Sequence, residues 1–109
     1  MKISIISASH RKNSQSRKIS DILYNCLLNI NSELEIYDLD LACKSLPLWS
    51  PDKKKGEGVW GDAWNSISDN LNKSDGFILI VPEYGGMATP MAKNIFLLCG
   101  NGEFAHKPG

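Results

Sequence analysis

Two polar stretches carry the residue types that could do chemistry. The first, residues 7–16, reads Ser-Ala-Ser-His-Arg-Lys-Asn-Ser-Gln-Ser. It supplies hydroxyls at Ser7, Ser9, Ser14 and Ser16, a guanidinium at Arg11, and the N–H groups of a helix predicted to begin at about Ser14 or Ser16. Unpaired N–H groups and the helix dipole favour an anion, and Arg adds a bidentate, charge-assisted contact. A terminal phosphate is the guest this chemistry suits. The plainer alternative is that Ser14 or Ser16 caps the helix while Arg11 and Lys12 are solvated. The second stretch is Pro82-Glu83-Tyr84-Gly85-Gly86-Met87. It offers backbone groups, one aromatic ring, and two glycines that let a ligand approach the main chain closely. A flat heteroaromatic ring needs such stacking area plus a few hydrogen bonds. A phosphate pocket beside a ring platform is the layout for a mononucleotide.

Other chemistries make demands that these residues do not meet. A tyrosine phosphatase or arsenate reductase of low molecular weight needs Cys and Arg in the first loop, and this loop has no Cys. A receiver domain needs acidic residues after the first and third strands, whereas the first strand ends Ser-Ala-Ser and Glu83 stands alone. The G-x-x-x-x-G-K-[ST] phosphate loop is absent. His10 and His106 have no Cys or carboxylate at ligand spacing, so no metal site is expected. No side-chain acid, base or nucleophile pair stands out, and no catalytic residue is assigned.

The elements that must position the two stretches follow from periodicity. Phe77–Val81 is an uninterrupted apolar run, three of its residues β-branched, and predicts a strand buried on both faces. After the Gly-rich turn, Thr89 suits an N-cap and Pro90 the first helical position, with the helix running to about Cys99 and stopping at Gly100. Residues 2–8 predict a short central strand. Ile19, Ile22, Leu23, Cys26, Leu27 and Ile30 recur at helical spacing, predicting a core-facing helix to about Asn29. Glu33–Leu39 alternates, as a strand exposed on one side does. Residues 40–58 are irregular, and Lys53, Lys54 and Lys55 read as a solvated loop rather than a phosphate patch. Val59–Asn72 predicts a helix with Trp60, Ala63, Trp64, Ile67 and Leu71 on the core stripe. Residues 101–109 show no further element, and Cys26 and Cys99 read as helix core.

The order β-α-β-α-β-α argues for an α/β domain with a parallel sheet and right-handed crossovers. In the flavodoxin-like winding the strands lie 2-1-3, which brings the two polar stretches together at the carboxyl end of the sheet. A length of 109 residues fits one domain, residues 1–109. Lys+Arg and Asp+Glu are both 12, so no general attraction to nucleic acid or anionic membrane is expected. No apolar run reaches the roughly 20 residues that span a bilayer, and the first residues turn polar too soon for a signal peptide. Three scattered cysteines fit a reducing cytoplasm.

Residues 9–16 resemble the G-S-x-R-x-x-S-x-[NS] phosphate loop of the NAD(P)H-dependent FMN reductases. Pro82–Pro90 followed by Lys93-Asn94 resembles that family's P-E-Y-N-G-x-x-P-x-x-x-K-N segment, and Leu46-Pro47-Leu48 its Leu-Pro-Leu turn. The resemblance implies a flavodoxin-like fold and FMN as cofactor. Ser9, Arg11, Ser14, Gln15 and Ser16 would hold the FMN phosphate. Pro82, Glu83, Tyr84, Gly85, Gly86 and Met87 would line the isoalloxazine. The implied activity is hydride transfer from NAD(P)H through flavin to a small-molecule acceptor such as a quinone, azo compound, metal ion or free flavin. Ala8 stands where the family usually has Gly, and Gly85 where it usually has Asn. Members usually run on for two more strands and helices, so the chain reads as the front half of the fold, with the C-terminal strands missing. That leaves the Phe77–Val81 strand as an open edge, from which a homo-dimer or higher oligomer, through that strand or exposed helix faces, or else a partner supplying the missing half, is expected. The alternative is a non-catalytic remnant acting through self-association.

Overall fold

The computed structural model describes residues 1–44, 46–51, 62–100 and 102–109. β1 (Lys2–Ser7) lies at the centre of a three-stranded parallel sheet, flanked by β2 (Glu35–Asp40) and β3 (Gly76–Ile80) in the order β2-β1-β3. The crossovers carry α1 (Gln15–Ile30) and α2 (Asp62–Asn72), and α3 (Pro90–Leu98) follows β3. Between β3 and α3 a two-stranded antiparallel hairpin intervenes, β4 (Glu83–Tyr84) with β5 (Met87–Ala88). The 2-1-3 order and flanking helices make this a flavodoxin-like α/β fold, as the sequence predicts. The predicted start of α2 at Val59, Trp60, and the Lys53–Lys55 run lie outside the described residues.

β1 is central because its apolar side chains alternate onto two covered faces: Ile5 and Ile6 are both fully buried. On one face Ile6, Ala8, Leu39 and Phe77 meet Trp64, Ile67 and Leu71 of α2 and Ala92, Ile95 and Leu98 of α3. Partly buried Tyr37 packs against this cluster, and burial pushes its phenol pKa up. Ser4 and Ser74 satisfy each other's buried hydroxyls at the edge of the cluster.

Among the described elements α1 covers the other face, and here the structure departs from the periodicity. The buried residues of α1 are Ser16 and Ser20, while Ile19, Ile22, Cys26 and Ile30 are exposed. Arg17 accounts for the rotation. It reaches β2 to bond both carboxylate oxygens of Asp38, and also bonds Asp21 one turn on; Ser20 donates to Asp38 at 3.1 Å. Those bonds to Asp38 raise the guanidinium pKa above its ordinary value. A helix fixed to β2 by its Arg17 and Ser20 side must turn part of its apolar stripe outward. Cys26 is therefore not core; Cys99, by contrast, does pack against the cluster. Ala63 is likewise exposed rather than on the buried stripe of α2.

β3 also differs from expectation. Ile78, Leu79 and Ile80 are only partly buried, and among the described residues no strand pairs with the outer side of β3. That edge is not wholly bare: the Phe77 N–H donates to the Pro108 carbonyl at 3.0 Å, so the C-terminal segment lies along its start. Among the described residues no helix is long and apolar enough to cross a membrane, and no group of three or more His, Cys, Asp or Glu could hold a metal ion.

Candidate functional site

The carboxyl ends of β1 and β3 converge because the two strands pair in register through Ser7 and Ile80. One residue further, the Ala8 N–H donates to the Ile80 carbonyl at 2.9 Å. The Ala8 carbonyl in turn accepts from the Thr89 hydroxyl at 2.6 Å. Thr89 is fully buried and also caps α3, its oxygen accepting from the Ala92 N–H at 3.2 Å, with Pro90 opening the helix. One hydroxyl thus ties the first loop to the start of α3. Ala8 sits within the core cluster, so a methyl group at this position is packed rather than in the way.

Beyond Ala8 the first loop leaves the sheet. Ser9 is buried, and its hydroxyl bonds the Tyr84 hydroxyl at 3.0 Å while accepting from the Arg11 N–H at 3.2 Å. His10 meets the Tyr84 ring edge-on at 5.4 Å. Asn13 takes a left-handed φ of 55°, turning the chain into α1. Ser14 is the N-cap, accepting from the Arg17 N–H at 3.1 Å. The capping alternative therefore holds for Ser14, while Ser16 is buried within the first turn. Among the described residues, the Arg11 guanidinium and the N–H groups of Gln15 and Ser16 have no protein partner. Arg11 and Gln15 are exposed. This combination can hold an anion at the helix start.

The second stretch is more ordered than a loop. Glu83 pairs with Ala88 and Tyr84 with Met87, and Gly85-Gly86 form the two-residue turn with φ of 58° and 77°. Positive φ at both central residues is what a tight hairpin of matching twist requires, and Asn-Gly or Gly-Gly supply it at little cost. Gly85 thus does the backbone work of the family's usual Asn. The Glu83 carboxylate closes the turn by accepting from the Gly86 N–H. The hairpin leaves Gly85, Gly86 and Met87 exposed, and a Cβ placed on Gly85 would meet nothing within 4 Å. Pro82 and Tyr84 are half-buried at its base.

The structure thus gathers Ser9, Arg11, Ser14, Gln15, Pro82, Glu83, Tyr84, Gly85, Gly86 and Met87 around one end of the sheet, with the Ser16 side chain turned inward. Three further residues shape the site: Thr89, His10 and Asn94. Asn94 accepts from the Trp49 N–H at 2.8 Å and donates to the Pro47 carbonyl at 3.0 Å, which pins the Leu46–Trp49 segment over α3. A cavity of about 240 Å³ opens there, lined by His10, Leu46, Leu48, Pro90, Met91 and Asn94. Asn94 was visible only as part of a motif, and no spacing rule connects it to residues 47–49.

A family model described as NADPH-dependent FMN reductase matches residues 1–109. Among solved structures, the chain resembles FerB from Paracoccus denitrificans, a flavoenzyme NAD(P)H:(acceptor) oxidoreductase, with a TM-score of 0.59 and 23% sequence identity. The likeness covers 94% of this chain and 53% of that protein, so the chain spans about half the length of its structural relative. A comparison with curated protein sequences finds no significant match.

Proposed function

The chain belongs to the NADPH-dependent FMN reductase family, and from that premise we propose that it binds FMN where β1 and β3 end and serves an NAD(P)H-dependent reduction of a small-molecule acceptor. The observation that carries this reading is the Ser9–Tyr84 hydrogen bond at 3.0 Å. It joins a loop whose anion-binding groups have no partner among the described residues to a hairpin with exposed backbone at Gly85 and Gly86.

The residues present fit a mononucleotide. Arg11 and the N–H groups of Gln15 and Ser16 would hold the phosphate, with Ser14 fixing the helix start that presents them. The Gly85-Gly86 turn would face the isoalloxazine without side-chain interference, flanked by Tyr84, Met87 and Pro82. Glu83, bonded to the Gly86 N–H, would keep the turn closed. When bound, FMN supplies the hydride chemistry itself, so the protein needs no acid, base or nucleophile of its own. The chain's part is to bind, orient and shield. The apolar lining of the His10 cavity favours ring acceptors such as quinones or azo compounds over metal ions. The three dispersed cysteines, with no C-x-x-C pair, support a cytoplasmic setting.

The outward apolar stripe of α1 favours self-association, and with it a second reading in which the chain associates without turning over. One experiment separates the two. Purified protein mixed anaerobically with FMN and then NADPH or NADH should bleach the flavin absorbance faster than FMN without protein. FMN binding with no acceleration by either nucleotide would leave only the second reading.

A further inference from the structure

The Leu46–Trp49 segment crosses the first turns of α3 as a strap held along its length. Leu46 packs against the core cluster. The Trp49 N–H donates to Asn94, and the Pro47 carbonyl accepts from it. Asn94 is equipped to do more than bolt this strap. Its side chain carries two N–H donors and an oxygen with two lone pairs. The two bonds to the strap use one donor and one lone pair, and they fix the amide's orientation, since the reverse would set donor against donor. One N–H remains without a partner among the described residues. Asn94 is only 8% exposed and lines the cavity of about 240 Å³ beneath the strap. A nearly buried N–H left unpaired costs free energy, and a ligand oxygen placed against it recovers that cost.

The rest of the lining says what kind of ligand that is. Leu46, Leu48, Pro90 and Met91 are apolar, and among the described residues no Lys, Arg, Asp or Glu borders the cavity. Its volume lies below the roughly 300 Å³ at which pockets for drug-sized ligands begin, so it suits one or two rings. We propose that Asn94 sets acceptor specificity: its second N–H donates to a carbonyl oxygen of a neutral ring compound, a quinone, seated under the strap. This rests on the acceptor reduction proposed above and assigns that acceptor a recognising residue. A metal ion finds no carboxylate or thiolate in this lining. An azo compound, whose linking nitrogens accept more weakly than a carbonyl oxygen, gains less from Asn94. The N–H groups that would hold a phosphate belong to Gln15 and Ser16 at the start of α1, on the face of the sheet opposite α3. Phosphate and acceptor therefore occupy separate places.

Duroquinone is the probe, because its ring carbons are all substituted and take up no thiol from the free cysteines. Titrated without FMN into the full isotope-labelled chain, it should saturate and move the nuclear magnetic resonance signals of Leu48, Trp49, Met91 and the Asn94 side-chain N–H. FMN added afterwards should not displace it. Asn94→Asp keeps an oxygen for the Trp49 N–H and removes both donors. Its Trp49 amide signal should stay near the wild-type position, showing the strap in place, while duroquinone binds about fivefold more weakly or worse. Leu48→Glu, at a position 74% exposed, should keep the fold by circular dichroism and also weaken duroquinone, by charging the cavity rim. Four results would overturn the proposal: no saturable shift in wild type, shifts that spare the Asn94 side chain, displacement by FMN, or undiminished binding in Asn94→Asp or Leu48→Glu. Because duroquinone is titrated without FMN, failure of FMN to bind would contradict the cofactor reading alone.

Discussion

On one face of the sheet, Trp64, Leu71, Ile95 and Leu98 close over Ile6 and Phe77 with almost no exposed surface. On the other, α1 rests on two serines and is held to β2 by Arg17, with isoleucines turned to solvent. The first face is held by apolar burial and dense packing, the second by a charge-assisted network at its rim. The candidate site takes its anion-binding N–H groups from the start of α1 but its anchors from the first face. Thr89 and Asn94, which anchor the first loop and the Leu46–Trp49 segment, are both on or at the start of α3. The closed face therefore carries the contacts that fix the first loop and the Leu46–Trp49 segment, while the open face is set by a few charged and hydroxyl groups.

Substitutions on the two faces should therefore differ in size and in salt response. The largest effect is expected at Trp64. It is 1% exposed in the densest part of the cluster, and Trp64→Ala should cost about 3–5 kcal/mol in urea unfolding, independent of ionic strength. A loss under about 1 kcal/mol would mean that the face is not the packed core described. Arg17→Ala should cost less, about 1–2 kcal/mol, through the lost bonds to Asp38 and the carboxylate left without its partner. Because those groups lie near solvent, raising salt should shrink the difference between this variant and wild type. An Arg17→Ala penalty as large as that of Trp64→Ala, or one unmoved by salt, would erase the contrast between the faces.

How much of this was legible in the sequence depends on what each signal encodes. The strands, the Thr89 cap and the Trp64–Ile67–Leu71 stripe follow from runs, caps and periods, which are local, whereas the 2-1-3 order rests on the flavodoxin-like winding that the β-α-β-α-β-α alternation suggests. The α1 face was misread because periodicity says which residues share a side, not whether that side meets the sheet. The Arg17–Asp38 contact, which decides it, joins residues from different elements. The hairpin was hidden for a related reason: Gly85-Gly86 read as a turn open to a ligand, and the pairing of Glu83 with Ala88 that makes it a two-residue hairpin turn has no signal in so short a run. Asn94 and the Pro108 carbonyl act through contacts distant in sequence, and no spacing announces them.

The central claim is that the loop after β1 and the hairpin after β3 form one mononucleotide site. The most direct measurement is an FMN titration of the full chain followed by flavin fluorescence, run in parallel on Arg11→Ala, whose exposed guanidinium bonds no described residue and whose loss should leave the fold unchanged. Micromolar or tighter binding that weakens at least tenfold in Arg11→Ala, about 1.4 kcal/mol, is the predicted result. Wild-type protein that leaves FMN fluorescence unchanged up to millimolar concentration, or equal affinity in the two proteins, would contradict it.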